Sequence, residues 1–191
     1  MSKKSTKLLD VIVIGAGASG MMAAITAARR GKSVAILERM NKPGKKILAT
    51  GNGKCNFTNN NMDTSRFHGN IQLIQSVLDR FSKEDTLSFF HEIGIWPKEK
   101  NGYYYPNSGQ AVSVVEAFNH ELNRLHVPVY LEQEVLDLFP DKYGFRIKTV
   151  QTSYTCRNVI VASGLLAASK LGSDGSMFSV IKELGHRFVP V

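Results

Sequence analysis

Four apolar residues in unbroken order, Val11-Ile12-Val13-Ile14, define the first element of the chain. A short run of this kind suits a strand covered on both faces, as parallel strands are, and predicts a strand over 8–14. The Ala- and Met-rich stretch 18–30 has helix-favouring composition, with Gly31 as its stop. A second apolar run, 33–37, completes a β-α-β unit of the usual length, about 30 residues. The pattern then lapses. Residues 42–60 are rich in Gly, Lys and Asn, lack periodicity and read as a long loop. Helical spacing returns over 71–93 in two pieces. Ser82 and Asp85 can form a capping box between them, Leu87, Phe90 and Ile93 share a face, and Gly94 ends the run. Asn101-Gly102 signals a hairpin. A helix over 111–125 would bury Val115, Phe118, Leu122 and Leu125. Short strands at 127–131, 135–139, 145–149 and 152–156, with a turn at 141–144, read as an antiparallel meander. Residues 158–162 read as a second buried parallel strand, and 177–184 as a last helix ended by Gly185. Val189-Pro190-Val191 reads as an apolar approach to a further element. The expected fold class is α/β, a mostly parallel sheet with an antiparallel meander as a crossover.

Composition adds a charge asymmetry. Residues 1–54 hold eleven Lys or Arg against Asp10 and Glu38, leaving thirteen against fourteen of the chain's 24 basic and 16 acidic residues. The net charge of +8 therefore sits in the first quarter. Such a patch attracts polyanions in general: nucleic acid, an anionic membrane or a cofactor pyrophosphate. Lys3, Lys4 and Lys7 read as a solvated tail. The uncharged stretch 11–28 behind those lysines superficially resembles a membrane span or signal segment. Gly15, Gly17, Ser19 and Gly20 interrupt it, and its strongly apolar part is only strand-length. The two cysteines, Cys55 and Cys156, form no Cys-x-x-Cys pair, and no metal-ligand spacing is present, so no metal is expected. Two free thiols suit a reducing compartment, here the cytoplasm.

The pattern Gly15-x-Gly17-x-x-Gly20 carries the clearest chemistry. It follows a predicted strand, opens a predicted helix, and precedes an acid, Glu38, eighteen residues past Gly20 at the end of the next strand. In that setting the first glycine permits a tight turn, the second lets backbone approach a pyrophosphate, and the third lets helix and strand pack closely. Amide groups at the helix start then face the phosphates. Glu38 can accept from ribose hydroxyls, and an acid there favours FAD or NAD over NADP. The loop 43–59 adds Gly and Lys residues that suit either a phosphate-facing loop or a flexible surface loop.

The run 44–59, with Gly-Lys-Cys-Asn-Phe-Thr-Asn at 53–59, resembles the aminoacetone oxidase family of glutathione-reductase-like FAD-binding enzymes when read with 15–20. Further matches are Phe89-Phe90, Gly94, Tyr105-Pro106-Asn107-Ser108, Gly172-Ser173-Asp174-Gly175 and Leu184-Gly185-His186, so the resemblance covers nearly the whole chain. It implies one Rossmann-like FAD-binding domain over 1–191, with a helical and hairpin insertion at about 61–110 and the β-meander at about 133–156. It places Gly15, Gly17, Ala18, Ser19 and Gly20 on the pyrophosphate, Glu38 on the adenosine ribose and Arg39 beside adenine. Lys45, Lys46, Gly51, Asn52, Gly53, Cys55 and Asn56 would lie along the ribityl and flavin side, and Val135 would touch adenine through its backbone. Ala162-Ser163-Gly164 resembles the Ala-Thr-Gly turn that returns to the cofactor. Leu165 and Met177 stand where the family usually has glycine. Family members run on for about as long again, through an inserted domain and a C-terminal segment that closes over the flavin. The chain is therefore expected to be an N-terminal portion, with the C-terminal part of the family fold absent or supplied by a separate chain.

The implied activity is hydride transfer through bound flavin, with NAD(P)H or a small amine- or alcohol-type substrate as donor. A small-molecule substrate is expected as partner, and neither membrane nor nucleic acid. Two rival readings stay open: a dinucleotide-binding module without turnover, and an RNA-modifying flavoprotein suggested by the basic first quarter. No residue qualifies as catalytic acid or base. Disulfide reductases of this fold carry a Cys-x-x-x-x-Cys pair after the ribose-binding acid. Cys55 lacks that partner, which leaves a buried structural cysteine or a single thiolate of lowered pKa. Tyr103, Tyr104 and Tyr105 could line a pocket, but two of the three are expected to pack across a hairpin. Ser108 suits a helix cap, and His91, His120 and His126 read as ordinary residues.

Overall fold

The computed structural model describes residues 8–188, so the lysines at 3, 4 and 7 and Val189-Pro190-Val191 lie outside the described residues. The elements run β1 (Leu9–Ile14), α1 (Ala18–Arg29), β2 (Val34–Leu37), α2 (Lys45–Ala49) and β3 (Thr58–Asn59). Next come α3 (Ile71–Leu78), α4 (Lys83–Glu92), β4 (Pro97–Lys100), β5 (Tyr103–Pro106) and α5 (Ala111–Arg124). The rest are β6 (Val129–Tyr130), β7 (Val135–Asp141), β8 (Gly144–Thr149), β9 (Ser153–Val161) and α6 (Met177–Glu183). The chain forms two compact units. Of the described residues, one holds 8–46 and 121–188; the other is Ile47–His120, which spans the 61–110 insertion.

The first unit is built on one sheet in the order β6-β2-β1-β9-β8-β7. β1 lies parallel to both β2 and β9, with Ile14 level with Leu37 on one side and Val161 on the other. β6 adds to β2 in parallel, while β9-β8-β7 is antiparallel. The apolar run of β1 needs cover on both faces, as its pattern required. On one face Ile12 and Ile14 join Leu37, Leu138, Ile147 and Cys156 beneath Met177 and Val180 of α6. α1 packs on β1, β2 and β9, and its Met21, Ala24 and Ile25 are fully buried. Each such large apolar side chain contributes about 1.5–3 kcal/mol by leaving water.

Three local expectations are corrected. Residues 127–131 do not open the meander: Val129–Tyr130 is a short edge strand parallel to β2, reached by the long connection that parallel strands require. Residues 152–156 and 158–162 are not two strands. β9 runs unbroken, bonding β8 through Ser153–Cys156 and β1 through Cys156–Val161, since no turn residue separates the halves. Nor is its parallel half deeply buried, for Asn158 and Val161 are exposed. Residues 42–60 are ordered rather than a plain loop. They contain α2, a 3-10 turn at Thr50–Gly53 and β3, fixed by hydrogen bonds of Asn56 and Phe57 to the carbonyl of Tyr104.

The second unit has the antiparallel sheet β3-β5-β4. Its core is aromatic: Phe57 meets Phe90 at 4.2 Å between ring centres, and Phe89 and Phe90 lie against Phe118 at 5.8 and 6.0 Å. The capping box forms, with the Ser82 amide donating to Asp85 Oδ2 and the Asp85 amide to Ser82 Oγ. Asn101 and Gly102 both take positive φ, as a tight two-residue hairpin turn requires. Tyr103 is half exposed, while the Tyr104 hydroxyl donates to Asn60 Oδ1 at 2.9 Å. Ser108 Oγ accepts the Gln110 amide just before α5.

Candidate functional site

The turn after β1 sits where three strand ends meet. The Gly15 amide donates to the Leu37 carbonyl and the Ala162 amide to the Ile14 carbonyl, both at 2.8 Å. Gly15 has φ +104°, and a Cβ there would lie 2.6 Å from the Ala162 carbonyl oxygen. A Cβ on Gly20 would strike the Gly15 carbonyl oxygen. The fold itself thus demands these two glycines. Gly17 differs: its φ is −77°, open to any residue, and nothing lies within 4 Å of a Cβ placed there. It is the N-cap of α1, no side chain caps the helix start, and no acid stands in the first turn. Ala18 and Ser19 are exposed. The helix therefore presents bare amides and the positive end of its dipole to open space, an arrangement that attracts an anion.

Glu38 closes the other side. Its Oε2 accepts the Ala16 amide at 2.6 Å and its Oε1 the Met40 amide at 2.8 Å, so the carboxylate is fixed between turn and strand end. Each oxygen keeps a further lone pair for a hydroxyl donor. The Glu38 carbonyl accepts the Gln133 amide at 2.9 Å, which brings Val135, two residues on, toward this end of the sheet. Thr149 Oγ1 in turn donates to Gln133 Oε1 at 2.8 Å. The Gly44 amide donates to the Ala16 carbonyl, so half-buried Lys45 and exposed Lys46 start just beyond the turn. Arg39 Nη1 donates to Asp174 Oδ2 at 2.7 Å, and that guanidinium, with the Ser176 amide, holds the Asp174 carboxyl at about 2. Arg39 Nε is buried without an acceptor. Ala162 and Ser163 are half-buried beside Gly15, and Gly164 follows, exposed. A bare helix start and an anchored carboxylate together fit a diphosphate joined to a sugar.

The remaining predicted positions form a turn of their own in the second unit. Gly51 and Asn52 are left-handed, and a Cβ on Gly51 would lie 2.8 Å from the Asn56 amide nitrogen. Gly51, Asn52 and Gly53 are exposed. Asn56 Nδ2 donates to the Thr58 and Tyr104 carbonyls, so its amide group ties the turn to β5. Cys55 is buried, and burial pushes its thiol up despite a hydrogen bond with Thr50. That environment opposes a thiolate and favours the structural role. Thr58 Oγ1 is buried without a partner.

Sequence reasoning assigned no role to Met40, Gln133, Ser173 or Asp174. Only the last two had a signal, the motif Gly172-Ser173-Asp174-Gly175, and nothing local revealed its partner 135 residues away. Of the two departures from the family pattern, Leu165 is exposed and Met177 is buried in the core beneath the sheet. Among the described residues no three His, Cys, Asp or Glu are grouped to hold a metal, and no helix is long and apolar enough to cross a membrane.

Residues 9–191 match the family described as the HI0933-like protein Rossmann domain. The chain belongs to that family. The family is one of FAD-dependent oxidoreductases, and FAD is its cofactor. Among relatives, the chain is 43% identical over 182 residues to the 3-dehydro-bile acid delta(4,6)-reductase of Clostridium scindens, covering 94% of this chain and 44% of that protein. It is 30% identical over 183 residues to the ribosomal RNA dihydrouridine synthase of Escherichia coli, covering 95% and 46%. The chain thus spans less than half the length of these relatives. Among solved structures, the 3-ketosteroid-delta4-(5alpha)-dehydrogenase of Rhodococcus jostii superposes with a TM-score of 0.63 at 15% identity, over 87% of this chain and 48% of that one. At that identity the likeness is one of fold.

Proposed function

We propose that the chain is the FAD-holding part of a flavin-dependent oxidoreductase of the aminoacetone oxidase type, acting by hydride transfer on a small molecule. The open space above Gly17, at an uncapped helix start beside Glu38, carries this reading. The amides of Ala18, Ser19 and Gly20 would hold the pyrophosphate of FAD, with Gly15 shaping the turn and Gly17 leaving the approach clear. Glu38 would accept from the adenosine ribose, and Arg39 and the Val135 backbone would border adenine. Lys45 and Lys46 would follow the ribityl side, and Ala162-Ser163-Gly164 would return to the cofactor. Bound there, the flavin supplies the hydride chemistry, which no side chain of this chain provides.

The donor in this proposal is NAD(P)H or a small amine- or alcohol-type molecule. The Clostridium scindens relative, a 3-dehydro-bile acid reductase, supports a small organic molecule as substrate. Further chain, in the same or a separate polypeptide, would complete the protein to its relatives' length. Two buried free thiols suit the cytoplasm. A second reading, an RNA-modifying flavoprotein, is supported by the name of the Escherichia coli relative and by the basic first quarter. It ranks second because a pyrophosphate already accounts for that charge. Salt-sensitive binding of ribosomal RNA by the purified chain would reverse the order. The first reading is tested by the visible spectrum of the chain with added FAD. A flavin spectrum retained through gel filtration supports it, and a colourless protein that ignores FAD contradicts it.

A further inference from the structure

Residues 164–176 leave β9, return to the carboxyl edge of the sheet and lead into α6. This stretch is seated on its own turn and on the end of β2. A Cβ on Gly164 would strike Ser173 Oγ. The Ala168 and Ser173 backbones exchange hydrogen bonds of 3.3 and 3.1 Å as an isolated antiparallel bridge. A Cβ on Gly172 would lie 3.5 Å from Met40 Cγ and 4.0 Å from Arg39 Nε, so the stretch lies against the two residues that follow Glu38. Yet Leu165 and Leu166 remain 57% and 70% exposed, so apolar burial does not fasten this part of the chain.

An ion pair between Arg39 and Asp174 joins it to the end of β2. Arg39 stands between two pinned neighbours. The Glu38 carbonyl accepts from Gln133, the Met40 amide donates to the Glu38 carboxylate, and the Met40 carbonyl accepts from Glu132 at 3.2 Å. On the other side, Asp174 Oδ1 accepts the Ser176 amide at 3.0 Å, which leaves Oδ2 for Arg39 Nη1 at 2.7 Å. The Asp174 carboxylate held this way loses little rotamer freedom on pairing, and the neighbours of Arg39 fix the backbone from which its side chain reaches. Both are also partly shielded, at 23% and 33% exposure.

We propose that Arg39 and Asp174 are a positioning pair that holds residues 164–176 against the end of β2, beside Glu38, and thereby slows the loss of bound FAD. The second clause rests on the flavin reading above; the first does not. The pair takes no part in the chemistry.

The test uses the 191-residue chain and three variants: Arg39→Glu, Asp174→Arg and the charge-swapped double variant. Without FAD, hydrogen exchange is followed at the amides of Ala168, Leu171, Gly172 and Ser173. With FAD, its release rate is read from recovery of flavin fluorescence. Each single variant should exchange, and release FAD, about five- to tenfold faster. The double variant should return the exchange rate to within about twofold of the parent, and the retention role is read from Asp174→Arg alone, since Arg39 is itself placed beside adenine. Unchanged exchange in the single variants overturns the pair. Fast exchange that the swap does not recover overturns it as well, since each residue then acts alone. Faster exchange with unaltered FAD release overturns the retention role. A parent chain that binds no FAD contradicts the flavin reading, while the exchange measurement still decides whether the pair holds the stretch.

Discussion

Two glycine-rich turns, 15–20 in the first unit and 51–56 in the second, look alike on paper and differ in what fixes their glycines. In the first, Gly15 and Gly20 are dictated by close backbone approach, and Gly17 is dictated by nothing among the described residues. In the second, Gly51 is pressed against the Asn56 amide, and the side chains around it are spent on the turn: Asn56 on two carbonyls and Cys55 on burial beside Thr50. A glycine explained by its neighbours reports on the fold. A glycine with an ordinary φ and empty space where its Cβ would be reports on something that is not protein. By that criterion Gly17 is the strongest pointer to a ligand in the first turn, and the second turn reads first as architecture.

Substitutions can break this contrast. The largest loss is expected for Gly20→Ala, whose methyl would meet the Gly15 carbonyl with no flexible atom to yield. Thermal or denaturant unfolding should show destabilisation of about 3 kcal/mol or more. A midpoint equal to the parent's would mean that the turn is not packed as described. Gly51→Ala should cost about 2 kcal/mol, from the left-handed backbone and the nearby amide together. A change under half of that would remove the architectural reading of the second turn. Cys55 sharpens the contrast chemically. Burial raises its thiol and pushes Cys156 up to about 11, so neither is a thiolate at neutral pH in the folded chain. An aromatic disulfide reagent should label the native protein at least about tenfold more slowly than the unfolded one. Rapid native labelling of Cys55 would make it a reactive thiol and reopen a redox role.

Much of the first unit was legible because its signals are local. The apolar run at 11–14, the three glycines and the acid at 38 sit within one β-α-β unit, where the run forms β1 and Gly15 and Gly20 make the tight turn and close packing that their spacing required. What stayed hidden depends on partners distant in sequence. β9 serves an antiparallel and a parallel neighbour along a single strand, and alternation within 152–162 cannot reveal which neighbour each half has. The order in 42–60 comes from Tyr104, 48 residues past Asn56. The Arg39–Asp174 contact joins a residue with an expected place beside adenine to a motif with no assigned role. Glu38 was legible as an acid in position, but its two bonds to the Ala16 and Met40 amides were not.

The smallest expected change in stability belongs to the variant with the largest expected change in binding. Gly17→Asp puts an N-cap-favoured residue at an uncapped helix start, so stability should move by no more than about 0.5 kcal/mol. The same carboxylate would occupy the amides offered to the pyrophosphate. The decisive measurement is therefore an FAD titration of parent and Gly17→Asp side by side, each followed by gel filtration and a visible spectrum. The account predicts a parent that binds FAD in the titration, weakly for want of the segment that closes over the flavin, and a folded variant that binds none. Equal FAD affinity in both proteins would contradict it.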